Sequence, residues 1–384
     1  MAQRQGPLSG VKVVELAGIG PGPLAAMMLA DLGATVIRVD RKQPSGLGAP
    51  RPLRFDIGLR NRESIRIDLK DPHAVELVLE LVASADALIE GFRPGVMERL
   101  GLGPDACLAR NPKLVYGRVT GWGQDGPLAH TAGHDINYIA LSGLLNAIGR
   151  QGQPPTVPLN VVGDYAAGSM YLAFGLLAGV LNARASGQGQ VVDAAMVDGV
   201  ATLLAPLLGL RAAGMFNAPR GGNLLDSGAP FYDVYECADG AFISVGAIEN
   251  KFFLDLLDRL GIAREDFPRQ MDRACWGHLR EVFAARFKTR PRHEWVALLQ
   301  DSDVCFAPVL DFDEAKDHPH LSARGTLIEV DGVVQPAPGP RFSRTPADRP
   351  KPPSPPDVAN VQAALSGWLD VPVIQAHLER GTFA

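Results

Sequence analysis

Two apolar rhythms alternate along the first two hundred residues, and their alternation predicts a sheet crossed by helices. Residues 11–16 and 34–39 are short β-branched runs, and between them residues 23–32 form a helix with proline in its first turn. This is a βαβ opening. Further on, the pattern predicts a helix over 74–83, strands at 87–89 and 114–118, and a long apolar helix over 164–184. Strands alternating with helices belong to a parallel, doubly wound sheet, so the fold class is α/β. From about residue 222 the texture changes. Residues 231–236 and 241–247 flank an Ala238-Asp239-Gly240 turn and read as an antiparallel hairpin, with helices near 249–260, 277–288 and 291–300. Nine prolines between 335 and 356 exclude an interior helix or strand and predict an extended connection, followed by a helical pattern over 357–370. The chain thus divides into a large domain (1–205), a linker (206–225), a small α+β domain (226–330), a proline-rich linker (331–356) and C-terminal helices (357–384) that return to the large domain.

Composition narrows the class of protein. With 384 residues, 46% hydrophobic and 21% charged, the chain can bury a large core, and disorder, collagen and a coiled coil are excluded. The net charge of −5 argues against a nucleic-acid partner, which calls for a basic face. Yet the first seventy residues hold eleven Lys or Arg against six Asp or Glu, a local +5 that leaves −10 for the rest. That asymmetry suits a compact anionic ligand. Cys107, Cys237, Cys275 and Cys305 are far apart, with no metal-ligand spacing, and read as reduced structural thiols. No apolar leader is visible, the greasy stretch 166–181 is short for a membrane span, and the terminal GTFA is no peroxisomal address; a cytoplasmic protein is expected.

Candidate chemistry is sparse. The Gly18-Ile19-Gly20-Pro21-Gly22-Pro23 turn, with Asp40 twenty residues after Gly20, partly matches a dinucleotide fingerprint, although Pro23 occupies the third glycine position and a plain tight turn explains it equally well. Arg38, Arg41 and Lys42 follow the second strand, where guanidinium forks bind phosphates. His134 stands in Gly133-His134-Asp135-Ile136-Asn137-Tyr138, a polar string before an apolar helix; structural and catalytic roles both fit a lone histidine. Asp164 begins the long apolar helix, where it reads as an N-cap, but the small residues Ala166, Ala167, Gly168 and Ser169 after it would let a ligand reach free N–H donors. Glu249 opens a helix and on sequence alone is an acid favouring the helix dipole. No P-loop, GxSxG elbow, HExxH or acidic metal cluster occurs.

The runs GVKVVELAGIGPGPLAAMMLADLGATVIRVDR, LIEGFRPGVMERLGLGP, GRVTGWGQDGPLAHTAGHDINYIALSG, GDYAAGSM, GQGQVVDAAMVDG and GAPFYDVYECADGAFISVGAIE together resemble the alpha-methylacyl-CoA racemase family of the class III CoA-transferase superfamily, over nearly the whole chain. The resemblance implies a Rossmann-like large domain, a smaller α+β domain, two long linkers and an interlocked homodimer. It implies an acyl-CoA substrate, no separate cofactor, no metal, and transfer of the proton alpha to a thioester through an enolate. His134 and Asp164 would act on opposite faces, the Asp164 N–H would hold the enolate oxygen, and Glu249 and Asp135 would orient or charge-balance the imidazole. Arg38, Arg41, Arg93 and Arg99 would meet the phosphates, Ile67, Asp68, Leu69 and Lys70 the adenine, and Gly91, Gly133, Ile136, Asn137 and Tyr138 the rest of the coenzyme arm. Methyl-branched fatty acyl, bile-acid and arylpropionyl thioesters all fit, which points to lipid metabolism. A CoA transferase with Asp164 as nucleophile, a nicotinamide enzyme and a non-catalytic CoA binder are the competing readings.

Overall fold

The computed structural model describes residues 5–43 and 46–383. Six strands, β1 (Lys12–Leu16), β2 (Thr35–Arg41), β3 (Glu63–Ile67), β4 (Ala87–Glu90), β5 (Val115–Thr120) and β6 (Gln190–Ala195), pair in the order β3-β2-β1-β4-β5-β6. Every pairing is parallel. Because helices cover both faces, the inner strands carry uninterrupted apolar runs, with Val13, Val14, Ile37, Leu88, Ile89 and Val115 fully buried. One face packs Ala25, Ala26, Leu29, Leu172 and Leu176, and the other Leu77, Val78 and Leu81 together with Val361, Leu365, Trp368 and Phe383 from the chain end. The order reverses between β1 and β4. The connections after these neighbours diverge, which opens a crevice at their carboxyl ends.

Strands β3 and β6 lay outside the sequence expectation. Glu63, Ser64 and Arg66 interrupt the apolar pattern of β3, and β6 (Gln190–Ala195) reads as a polar turn followed by small residues. The long helix also begins earlier than expected. It runs Val161–Ser186, of which Val161–Met170 is π-helical, with Asn160 at its N-cap, so Asp164 lies inside the first turn and does not cap it. Close packing explains this start, since a Cβ at Gly163 would sit 2.8 Å from the Asp135 carboxylate and one at Gly168 2.8 Å from Pro21. By length and composition this helix could cross a membrane, and 50% of its most apolar window is buried inside the protein.

The chain forms two compact units whose limits depart from the division read from sequence: Gly143–Pro158 joins Leu204–Ser322, while the stretch from Ala323 belongs with the six-stranded sheet. Hydrogen bonding accounts for both shifts. Arg150 pairs with Asp233 at 2.5 Å, and Arg220 donates to the carbonyls of Asn146 and Gln153. The hairpin of β10 (Leu327–Val330) and β11 (Val333–Pro336) is instead held by Arg60, which donates to Gln335 Oε1 at 2.8 Å and to the Pro336 carbonyl at 2.7 Å. Pro336 ends this two-stranded ribbon, so a strand begins the proline-rich segment where only extended chain was expected. The second unit holds antiparallel β7 (Tyr232–Glu236), β8 (Phe242–Gly246) and β9 (Phe306–Pro308), backed by helices whose Phe253, Trp276, Phe283, Phe287 and Trp295 are buried.

In the first unit, Arg60 and Asp31 form a buried fork, 2.5 Å at its shorter arm, and Asn61 Nδ2 donates to the same carboxylate. Removing one partner strands the other charge without water, so Asp31→Ala should cost about 3–5 kcal/mol of stability, read as a lowered midpoint in denaturant unfolding.

Candidate active site

Loops leaving the carboxyl ends of the strands enclose a cleft of about 470 Å³ lined by the Gly20–Pro23 turn, Gly91, Phe92, Arg93, Trp122, Gly133, His134, Tyr138, Asp164 and Met196. A second cavity of about 450 Å³ is lined by Arg41, Lys42, Ile67, Asp68, Leu69, Lys70 and Phe92. Arg41, Phe92 and Val96 line both, so the two make one groove. At the junction the Arg41 guanidinium lies over the Phe92 ring, 5.1 Å from its centroid, a cation–π contact that fixes the arginine while leaving its charge exposed. One end of the groove is therefore cationic, and the other carries a histidine and a carboxylate.

His134 is the N-cap of helix Asp135–Leu141 and exposed, with its N–H bonded to Asn137 Oδ1 at 3.0 Å. Asp135, at the first helical position, turns inward and is buried. Its Oδ2 accepts the Asp164 N–H at 2.8 Å, and its Oδ1 has no partner. Two expectations change. Asp135 engages the Asp164 turn where an imidazole contact was expected, and the Asp164 N–H, expected to hold an enolate oxygen, is committed to a carboxylate. Burial raises the Asp164 carboxyl above the ordinary Asp range, opposed by the hydrogen bond from Asn160 (3.0 Å), reinforced by Asp135 and opposed again by His134. Such a group exchanges protons more readily in both directions than a solvated Asp.

Tyr138 borders the same space and meets Trp122 edge to face, ring centroids 4.8 Å apart. Gly121 leaves room for it, since a Cβ there would fall 2.1 Å from the tyrosine ring. Burial first, and then the charges of Asp164 and Asp135, push its hydroxyl up to about 12, so it remains a donor at neutral pH.

The other expected site residues divide. Arg41, Arg93, Gly91, Gly133 and 67–70 line the groove. Arg99 and Ile136 line neither cavity, and Asn137 lines a shallow hollow beside Trp122. Arg38 is held as an ion of the sheet: its register partner on β1 is Glu15, whose carboxylate it binds at 2.6 Å, and it is only 6% exposed, although with Arg41, Gly91 and Phe92 it lines a small hollow of about 150 Å³ beside the groove. Asp40, the candidate ribose acid, accepts from Arg38 Nε at 3.2 Å. Glu249 is exposed at the N-cap of helix Asn250–Leu260 in the second unit. Phe92 and Met196 were missed as lining residues; an aromatic between Gly91 and Arg93 at the end of β4 was the available signal. Among the described residues, no three His, Cys, Asp or Glu side chains gather to hold a metal ion.

Known proteins share this sequence and architecture. The chain is 44% identical to alpha-methylacyl-CoA racemase of Mus musculus over 342 residues, covering 88% of this chain and 87% of the relative. It is 31% identical to acetyl-CoA:oxalate CoA-transferase of Acetobacter aceti, covering 87% and 89%. The solved structure of a CAIB/BAIF family protein from Brucella suis superposes with a TM-score of 0.80 at 27% identity, covering 96% of this chain and all of that one. A six-stranded parallel sheet with its cleft at the strand ends, relatives of both activities matched over nearly nine-tenths of their length, and a match to the sequence model of CoA-transferase family III over residues 8–358 converge on one assignment: the chain belongs to CoA-transferase family III.

Proposed function

We propose that the protein is a racemase that interconverts the two epimers of a 2-methylacyl-CoA thioester. The observation that carries this reading is the pairing of His134 with Asp164 in one cleft, at the end of a groove whose far end is cationic. A thioester acidifies its alpha proton only modestly, so the enolate must form between a base and an acid already in place. In one direction Asp164 takes the proton and His134 returns one from the other face; in the other direction the roles exchange. A carboxyl held above its ordinary range suits both halves of that cycle. The anionic arm of coenzyme A, with its pyrophosphate and 3′-phosphate, lies along Arg41, Lys42, Lys70 and Arg93, and the adenine along 67–70. No cofactor beyond the substrate's own coenzyme enters the reaction.

With the Asp164 N–H committed to Asp135, the enolate oxygen takes its hydrogen bond from Tyr138, the protonated hydroxyl beside both carboxylates. Glu249 balances the imidazolium on assembly of a homodimer. Support for that assembly comes from Met170, Phe174 and Leu181, which leave an apolar stripe exposed along the long helix, Phe174 72% and Leu181 74% accessible.

Incubating one epimer in deuterated water should yield both epimers with deuterium at the alpha carbon, whereas His134→Ala and Asp164→Ala each abolish interconversion while one-face exchange survives. Equal and complete loss of exchange from both epimers in both variants would contradict the two-face assignment. Tyr138→Phe should lower kcat about 10²- to 10³-fold in both directions with KM little changed. An unchanged kcat removes the tyrosine from the oxyanion role. Sedimentation equilibrium should return twice the chain mass, and a monomer at working concentrations would end the dimer reading.

The second reading, a CoA transferase, is favoured by the similarity to the Acetobacter aceti enzyme over 89% of that enzyme's length. There the Asp164 carboxylate would attack the thioester carbonyl, the C–S bond would break to release the coenzyme A thiolate, and a mixed anhydride would form. Hydroxylamine would trap that anhydride as a hydroxamate on Asp164, and racemisation leaves none.

A further inference from the structure

Behind the coenzyme groove lies a chain of charges that neither the sequence patterns nor the reaction uses. Glu90 ends β4 and is fully buried, and Arg118 is its register partner on β5. One Glu90 oxygen accepts from Arg118 Nε at 2.8 Å, and the other from the backbone N–H of Phe92 at 2.7 Å. The remaining arms of Arg118 donate to both oxygens of Glu98, at 2.8 and 3.3 Å, on the short helix Val96–Arg99. The groove-lining loop that carries Phe92 and Val96 is thus anchored from behind at two points, one of them a main-chain bond to a buried carboxylate.

Resting on the coenzyme A reading above, we infer that Glu90 is a positioning residue for the coenzyme, setting the loop from Gly91 to Val96 and through Phe92 the stacked Arg41. Glu90 touches no part of the groove itself; it acts through the Phe92 N–H. Its surroundings make the contact sensitive to pH. The groups that face it are Arg118 and Tyr116 on β5 and Glu98 on the short helix, and the Tyr116 hydroxyl donates to the Leu102 carbonyl. Burial pushes the Glu90 carboxyl up to about 7; the Phe92 N–H and Arg118 pull it down, and Glu98 competes for the same guanidinium. Above that value the ionised carboxylate has an acceptor for each donor. Below it one oxygen carries a proton and accepts only weakly, so the bond from either Phe92 or Arg118 loses its charge-assisted strength. The coenzyme therefore binds more tightly on the alkaline side.

The test is titration calorimetry of free coenzyme A with the full chain between about pH 6 and about pH 8. A phosphate monoester also titrates near pH 6, so each variant is compared with the wild type at each pH. Glu90→Gln should weaken binding about tenfold at the alkaline end, as loss of one charge-assisted bond implies, and erase the difference from wild type at the acid end. Glu98→Gln, on an exposed turn, frees Arg118 for Glu90 alone and should move the wild-type transition to lower pH, an effect that a merely structural role would not produce. Should Glu90→Gln fail to fold, the Glu98→Gln shift decides alone. A wild type and Glu90→Gln with the same affinity at every pH, or a transition unmoved in Glu98→Gln, overturns the inference. A wild type that binds no coenzyme A at any pH instead overturns the reading on which it rests.

Discussion

Parallel pairing of β1 with β4 is the constraint from which the site follows. The two strands lie side by side, Val13 opposite Ala87 and Glu15 opposite Ile89, yet the chain leaves β1 toward β2 and β4 toward β5. Their loops must part, and the gap between them is where the Gly20–Pro23 turn faces Gly91 and Phe92. Glycine at 20, with φ of 68°, gives the turn its left-handed step, and a side chain placed there would approach within 3.6 Å of the Asp164 carboxylate. The crevice is thus a product of strand order, and its chemistry comes from whatever the later loops bring to it.

Both halves of the sheet solve one electrostatic problem in the same way. Near the carboxyl end of each inner strand stands a fully buried glutamate, Glu15 on β1 and Glu90 on β4, and opposite it in register on the next strand outward stands an arginine, Arg38 or Arg118. Such pairs contribute little net stability, because desolvation offsets most of their attraction, but a slipped strand would leave a charge buried alone at a cost of several kcal/mol. They therefore select register. The halves then differ in the third member. Glu15 is closed by Arg62, itself buried and 2.6 Å away, whereas Arg118 reaches out to half-exposed Glu98 beside the groove. Both networks reach residues that line the groove, the first where Arg62 donates to the Pro23 carbonyl at 3.0 Å and the second where Glu90 accepts the Phe92 N–H.

What was legible in the sequence follows this division between local and tertiary causes. The βαβ opening and the hairpin of the second unit could be read because alternation, proline at a helix start and an Asp-Gly turn are local signals. His134 is marked by a specific string, GHDINY, Arg41 by its position after a strand and Asp164 by its place at the start of an apolar helix, whereas 67–70 come from the family resemblance alone. Arg38 could not be told from Arg41, three residues away, without knowing that register sets the Glu15 carboxylate opposite one and the apolar Ile67 opposite the other. The family resemblance gives Asp135 a role at the imidazole; in the structure its side chain, at the first helical position after His134, turns inward to accept the Asp164 N–H. The π-helical start at Val161 left no local trace, since it answers to the close approach of Gly163 and Gly168 to their neighbours.

The basic first seventy residues acquire a different meaning from this placement. Of their eleven Lys and Arg, the buried Arg38, Arg60 and Arg62 are offset by Glu15, Asp40 and Asp31 within the sheet and under the C-terminal hairpin, so they contribute chiefly to register and closure and little to the surface field. Arg51 pairs with Asp56. The positive end of the groove is left to Arg41, Lys42 and Lys70, which are exposed and set where the strands end. A local charge of +5 and three groove cations are nearly the same attraction for an anionic coenzyme at long range, where fields sum. At contact they differ, because only charges that solvent can reach can exchange water for phosphate. The excess in the sequence was therefore a sound signal of an anion and a poor guide to which residues hold it.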